Sequence, residues 1–81
     1  MKVTLSRLAK KQLKRLSAEN SVRVGVALGR LAKDPPEGDI KPVRKMPRVF
    51  RSRAGDYRIF FEKRVTEVFI IKIRPRGQAY K

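Results

Sequence analysis

The 81-residue chain contains no cysteine and no histidine, and only 7 acidic residues stand against 22 lysines and arginines. Without cysteine there are no disulfides and no thiolate metal ligands. With histidine missing too, most zinc, copper and haem sites are excluded, as is every Ser-His or Cys-His nucleophile system. The chain is therefore expected to work without a metal or a cofactor. Long apolar runs are also lacking. The longest, Val68-Phe69-Ile70-Ile71, falls far short of the roughly 20 residues that span a bilayer. No apolar segment follows the first basic residue, so no secretory signal is expected, and a cytoplasmic location is the simplest expectation.

What is abundant is positive charge, a formal +15. Its sign selects a polyanionic partner: nucleic acid, an acidic protein or an anionic surface. The length implies one small domain, residues 1–81, burying roughly 60–65% of its unfolded surface. Disorder is not the expectation despite the charge, because the C-terminal half alternates aliphatic and aromatic residues in short runs. The 5 prolines fall at apparent boundaries between periodic segments.

Along the chain, Lys2-Val3-Thr4-Leu5 reads as a brief first strand. Ser6 is placed to cap a helix over residues 7–16, with Leu8, Ala9, Leu13 and Leu16 as its apolar stripe. Lys10, Lys11, Lys14 and Arg15 take the other side, either as a solvated face or as a surface for backbone phosphates. A second helix is expected over residues 19–33. Val24, Ala27, Leu28 and Leu31 form its buried stripe, widened by Val22 and Val26. Gly25 and Gly29 either let the helices approach closely or merely lower helix propensity by about 1 kcal/mol each. Asp34-Pro35-Pro36-Glu37-Gly38-Asp39 ends the helix, and a connecting stretch carries Lys41, Arg44 and Lys45.

The period then switches to two. Residues 49–54 and 57–63 read as a hairpin closed by Gly55-Asp56, a loop suited to a type II′ turn with glycine first. In that register Arg53 lies opposite Arg58 and Arg51 opposite Phe60. Side chains two apart share a face, so Arg51, Arg53 and Arg58 form one patch. Like charges directly opposite each other destabilise a sheet, which points to an anionic ligand. Arg51 also reads as an edge-strand charge that discourages aggregation, and Tyr57 reads as a packing residue. Residues 65–73 form a last strand with Val65, Val68 and Phe69-Ile70-Ile71 buried. The order β-α-α-β-β-β segregates helices from strands, which defines the α+β class.

The Met46-Pro47 entry, Phe50-Arg51-Ser52-Arg53, Gly55-Asp56-Tyr57-Arg58 and the ending Ile73-Arg74-Pro75-Arg76-Gly77-Gln78-Ala79-Tyr80 resemble the RelE/ParE toxin superfamily over nearly the whole chain. The resemblance implies a small antiparallel sheet packed against two N-terminal helices. It also implies a toxin of a type II toxin–antitoxin pair, restrained by an acidic, RelB-like antitoxin that folds on binding. RelE-like members cleave mRNA in the ribosomal A site. Their site roles fall here on Arg51, Arg53, Arg58, Arg76 and Tyr80. Lys10, Lys11, Lys14, Arg15, Lys41, Arg44, Lys45 and Arg74 are the accompanying candidate contacts to RNA or ribosome. No membrane partner and no small-molecule cofactor are implied. ParE-like members share the scaffold, poison DNA gyrase and generally lack the full set, so the five matches favour the RelE side.

RNA cleavage by its own 2′-hydroxyl needs a proton acceptor, stabilisation of the phosphorane charge, and neutralisation of the leaving 5′-oxygen. Clustered arginines serve the second need, because guanidinium forks match phosphate oxygens. The expectation is that Arg58 and Arg76 clamp the scissile phosphate. Relatives often carry lysine in the basic pair, where cationic neighbours lower its pKa. Arg51 and Arg53 stay protonated. Some relatives carry histidine where Pro75 stands. Tyr80 is left to transfer a proton, to stack on a base, or to fray as a near-terminal residue. The sequence leaves the proton acceptor open. It also leaves two other functions open beside the ribonuclease: a gyrase poison, and a basic RNA- or ribosome-binding module without catalysis.

Overall fold

The computed structural model describes residues 1–75. The chain runs through β1 (Lys2–Leu5), α1 (Arg7–Lys14), α2 (Ala18–Leu31), β2 (Ile40–Pro42), β3 (Val49–Ala54), β4 (Tyr57–Lys63) and β5 (Glu67–Pro75). The strands form one sheet in the order β1-β5-β4-β3-β2, with both helices on one of its faces. The α+β class expected from the sequence is the one observed. Two features refine it. The stretch after the Pro-Pro loop contributes a short edge strand, β2, antiparallel to β3. On the other side β1 pairs with β5 in parallel, Lys2 with Glu67 through Leu5 with Ile70. The sheet is therefore mixed, with its other pairings antiparallel. Three residues ending in proline show no period in sequence, and a parallel pair closed by nearly the whole chain leaves no local signal.

Serine starts both helices. The Ser6 hydroxyl accepts from Ala9 N at 2.9 Å, and that of Ser17 accepts from Asn20 N at 3.2 Å. Each satisfies one of the donors that a helix N-terminus leaves unpaired. α1 ends at Lys14, sooner than its apolar stripe suggests. Arg15 N and Leu16 N bond Gln12 O and Leu13 O, the tightened i→i+3 pattern of a final turn, and Ser17 at once begins the next helix.

The core joins Ala9 of α1, Val24 and Leu31 of α2, and the inward row Ala54, Ile59, Phe61, Val68, Ile70 and Ile73 of the sheet. Leu13, Leu16, Ala27 and Leu28 pack against it. Several expected core residues lie outside it. Leu8 is half exposed, and Val22 and Val26 are exposed on the outer side of α2. A Cβ at Gly25 or Gly29 would meet nothing within 4 Å, so these glycines serve no close helix approach. Val65 is 96% exposed. It sits in the turn between β4 and β5, closed by Arg64 N to Glu67 O at 2.9 Å, where the pattern had placed it in a strand.

The β3–β4 hairpin has the expected register, with Arg53 opposite Arg58 and Arg51 opposite Phe60. Gly55 has φ of 60°, the left-handed value that the first position of a type II′ turn requires. A Cβ there would also press on Arg23 Cδ at 3.2 Å.

β5 carries a one-residue bulge. Phe60 pairs with Lys72 but Phe61 pairs with Ile70, which leaves Ile71 without an opposite residue. The bulge shifts the strand's alternation. Val68 and Ile70 face the core before it and Ile73 faces the core after it, so Lys72 and Arg74 turn to the opposite face. Past the end of β1 the exposed edge of β5 is covered by α1. Ser6 N bonds Ile70 O at 2.8 Å, the Ser6 hydroxyl donates to Ile71 O at 2.6 Å, and Ile73 N donates to Gln12 Oε1 at 2.6 Å. Replacing Gln12 by alanine leaves a part-buried amide without its acceptor. Urea unfolding is expected to show a loss of about 1–2 kcal/mol, with Gln12→Glu, which keeps an acceptor, losing clearly less.

Candidate functional site

The sheet face turned away from the helices is paved by register. In one row across the strands, Asp39 stands opposite Arg53, Arg53 opposite Arg58, and Arg58 opposite Arg74. In the next row Lys41 faces Arg51, Arg51 faces Phe60, and Phe60 faces Lys72. Strands lie about 4.8 Å apart, so each row spans roughly 14 Å, a length comparable with a short stretch of nucleic-acid backbone. Asp39, Lys41, Arg51, Arg53 and Arg58 line a small cleft at the β2 side of this grid.

Arg58 lies at the centre of its row and is only 7% exposed. The Nε of Arg74 is buried with no hydrogen-bond partner among the described residues. Three guanidinium groups on adjacent strands repel one another, and the oxygens of a phosphate group offer such a row negative charge and several acceptors at once. Phe60 is the apolar member of the grid. It is nearly buried, with Lys72 Nζ 4.8 Å from its ring centroid, a cation–π contact that holds the lysine over the face.

The far end of the same face is nearly neutral. Arg64 Nε lies 2.6 Å from Glu62 Oε1 and Arg64 Nη1 lies 2.9 Å from Glu67 Oε1. The Arg64 guanidinium also covers the Phe69 ring at 4.5 Å. Hydrogen bonds from Arg64 and then from Thr4 hold the Glu67 carboxyl below its ordinary range. Positive potential is thus concentrated at the hairpin end.

Of the residues singled out in the sequence, Arg51, Arg53, Arg58, Lys41 and Arg74 come together here. Arg76 and Tyr80 lie outside the described residues. Arg44 and Lys45 sit in the loop after β2 and do not line the cleft. Lys45 and Arg48 there adopt φ of 63° and 64°, left-handed values unusual for residues with a Cβ. Lys10, Lys11, Lys14 and Arg15 are exposed on the helical side of the molecule, across the sheet from the arginine row. They form a separate basic surface and not an extension of this one.

Two members of the grid escape a reading of the sequence. Lys72 is hidden by the bulge, since unbroken alternation from Ile70 would turn it with Arg74 the other way. Asp39 is hidden because it becomes a neighbour of Arg53 only through β2. Its carbonyl accepts from Arg53 N at 3.1 Å, and its Oδ2 lies 3.6 Å from Arg53 Nε.

The architecture recurs among solved toxin structures. The isolated E. coli RelE toxin matches with a TM-score of 0.80 at 16% identity, covering 98% of this chain and 87% of its own. The RelB-RelE antitoxin–toxin complex from Methanococcus jannaschii matches with 0.78 at 19% identity, covering 95% of this chain and 94% of the other. The RelBE2 complex from Mycobacterium tuberculosis matches with 0.78 at 23% identity, covering 93% and 96%. At these identities the likeness establishes the fold. No curated protein matches the sequence significantly. The family model described as the ParE toxin of type II toxin–antitoxin systems, parDE, matches residues 3–80, and the chain belongs to that family within the RelE/ParE superfamily.

A built phosphate site should report on folding. Sulfate at ten times its dissociation constant is expected to stabilise the native state by about 1.4 kcal/mol, a melting shift of roughly 5–10 °C. Chloride at equal ionic strength should produce much less, and Arg58→Ala should remove the difference. Differential scanning calorimetry checks this.

Proposed function

We propose that this toxin is a metal-independent endoribonuclease that cuts mRNA on the ribosome and so stops translation. The observation that carries the reading is the arginine row Arg53-Arg58-Arg74 with Arg51 beside it. Three adjacent strands carry these arginines side by side, on a face that no helix among the described residues covers. In this reading the scissile phosphodiester lies over the row. Attack of the 2′-oxygen on phosphorus adds negative charge to the phosphoryl oxygens, and fixed cations stabilise that charge more in the transition state than in the ground state. Arg58, nearly buried in its row, and Arg76 clamp the phosphate. Arg51 and Arg53 order the ribose side, and Tyr80 stacks on a base or moves a proton. The protein acts in the cytoplasm. Its protein partner is an antitoxin whose acidic, amphipathic segment neutralises the basic surface, a reading supported by the RelB-RelE complexes of similar fold. Lys10, Lys11, Lys14 and Arg15 extend the contact to ribosomal RNA from the helical side, while Lys41, Arg44 and Lys45 do so from the β2 edge.

The match to the ParE family model favours a second reading, in which the same scaffold poisons DNA gyrase and cuts nothing. The two part cleanly in one experiment. Purified toxin is incubated with ribosomes programmed by a defined mRNA, and separately with gyrase and plasmid DNA. The nuclease reading expects new mRNA ends within the A-site codon, mapped by primer extension. It also expects a cleavage rate about 100-fold lower in Arg58→Ala, the scale of losing one transition-state charge contact. Intact mRNA together with toxin-dependent trapped DNA breaks would establish the gyrase reading instead.

A further inference from the structure

We infer that Asp39 is the general base of this site, the group that takes the proton from the attacking 2′-hydroxyl. The inference rests on the nuclease reading above and supplies what that reading lacks. Arginine does not accept a proton at neutral pH, and histidine is absent from the chain. The cleft is lined by Lys41 from β2, Arg51 and Arg53 from β3, Arg58 from β4, and one carboxylate, Asp39. Among these lining side chains, the Asp39 carboxylate is the one that can receive a proton without first losing one, as the lysine and the arginines must.

Two further observations bear on the assignment. First, the structural contribution of Asp39 is small. Its contact with Arg53 is 3.6 Å long, and both side chains are more than half exposed (52% and 56%). Such pairs contribute at most about 1 kcal/mol. Second, a carboxylate in a phosphate-binding cleft repels the ligand, so on binding grounds alone it is a defect. Its place in the row resolves this. Asp39 ends the same line of cross-strand neighbours that carries Arg53 and Arg58. A nucleotide whose phosphate rests on those arginines therefore turns its adjoining ribose toward either Asp39 or Arg74, and Asp39 is the end with a proton acceptor. The Arg53 backbone amide donates to the Asp39 carbonyl at 3.1 Å and so fixes the Asp39 backbone beside the strand.

The step balances without a co-reactant other than water. The 2′-O–H bond breaks and its proton passes to the Asp39 carboxylate. The freed electron pair forms the 2′-O–P bond, the P–O5′ bond breaks, and the departing 5′-oxygen takes a proton from water. The products are a 2′,3′-cyclic phosphate and a 5′-hydroxyl, and Asp39 returns its proton to solvent.

The test compares wild type, Asp39→Asn, Asp39→Glu and Arg58→Ala on mRNA-programmed ribosomes in single turnover. Binding is measured with an mRNA carrying a 2′-deoxy nucleotide at the cut position. Asparagine keeps the shape of Asp39 but accepts no proton. The expected result is cleavage slowed about 100-fold or more by Asp39→Asn, binding unchanged or tighter as a repelling charge is lost, and partial recovery in Asp39→Glu. The wild-type rate should also fall at acidic pH along a limb that Asp39→Asn lacks and Arg58→Ala, though slow, retains. Cleavage by Asp39→Asn within threefold of wild type would overturn the assignment, as would parallel losses of cleavage and binding. A wild-type protein that leaves the mRNA whole would overturn the nuclease reading and this inference with it, whereas a wild type that cuts while Asp39→Asn cuts equally well would overturn the inference alone.

Discussion

Among the described residues, only one face of the sheet is covered. Two helices suffice to bury a single side of five strands, and the strict alternation of side chains then decides what every residue does. Ala54, Ile59, Phe61, Val68, Ile70 and Ile73 turn inward because water is excluded there. Arg53, Arg58 and Arg74 turn outward because the alternative is a charge among hydrocarbon, which costs several kcal/mol for each ion. The arginine row is thus the other side of the hydrophobic core. The bulge at Ile71 is its most economical device, since one extra residue reverses the alternation of β5 midway. It lets Val68, Ile70 and Ile73 all fill the core while Lys72 and Arg74 join the open face.

Electrostatically, the open face works against folding at one end and with it at the other. Glu62, Arg64, Glu67 and Thr4 satisfy one another beside β1, whereas the hairpin end gathers cations about one strand spacing apart. A small domain has only about 5–15 kcal/mol of net stability, so like charges gathered at the hairpin end are a cost that its modest core must offset. The left-handed Lys45 and Arg48 add local strain of order 1 kcal/mol each at the opposite end of β3, where Arg48 O accepts from Lys63 N.

The hairpin was legible in the sequence because its determinants are local: a glycine that accepts positive φ, and strands of fixed period on either side. Its register placed Arg51, Arg53 and Arg58 together before any coordinates. What was not legible depends on contacts distant in sequence. β2 is three residues long and exists only because Arg51 and Ser52 are there to pair with. Val65, apolar and β-branched, looks like strand but turns a corner in solvent. Val22, Val26 and the two glycines of α2 look like a packing face, but the valines are mostly exposed and the glycines bring no other element close. The helix cations and the arginine row were both candidate contacts to RNA or ribosome in sequence, but the sheet stands between them. Asp39, in a loop rich in turn residues, carried no sign of its neighbours.

The parallel pairing of β1 with β5 has a consequence for the order of assembly. Lys2 and Glu67 are partners, so the first strand waits for the last before it can be hydrogen-bonded within the sheet. Contacts so distant in sequence form late and slow the closure of a fold. On a ribosome, where the N-terminal part emerges first, the helices can form early, but the third arginine of the row arrives only with β5. The charged face is thus finished last, and a partly made chain cannot yet present the surface that the finished one carries.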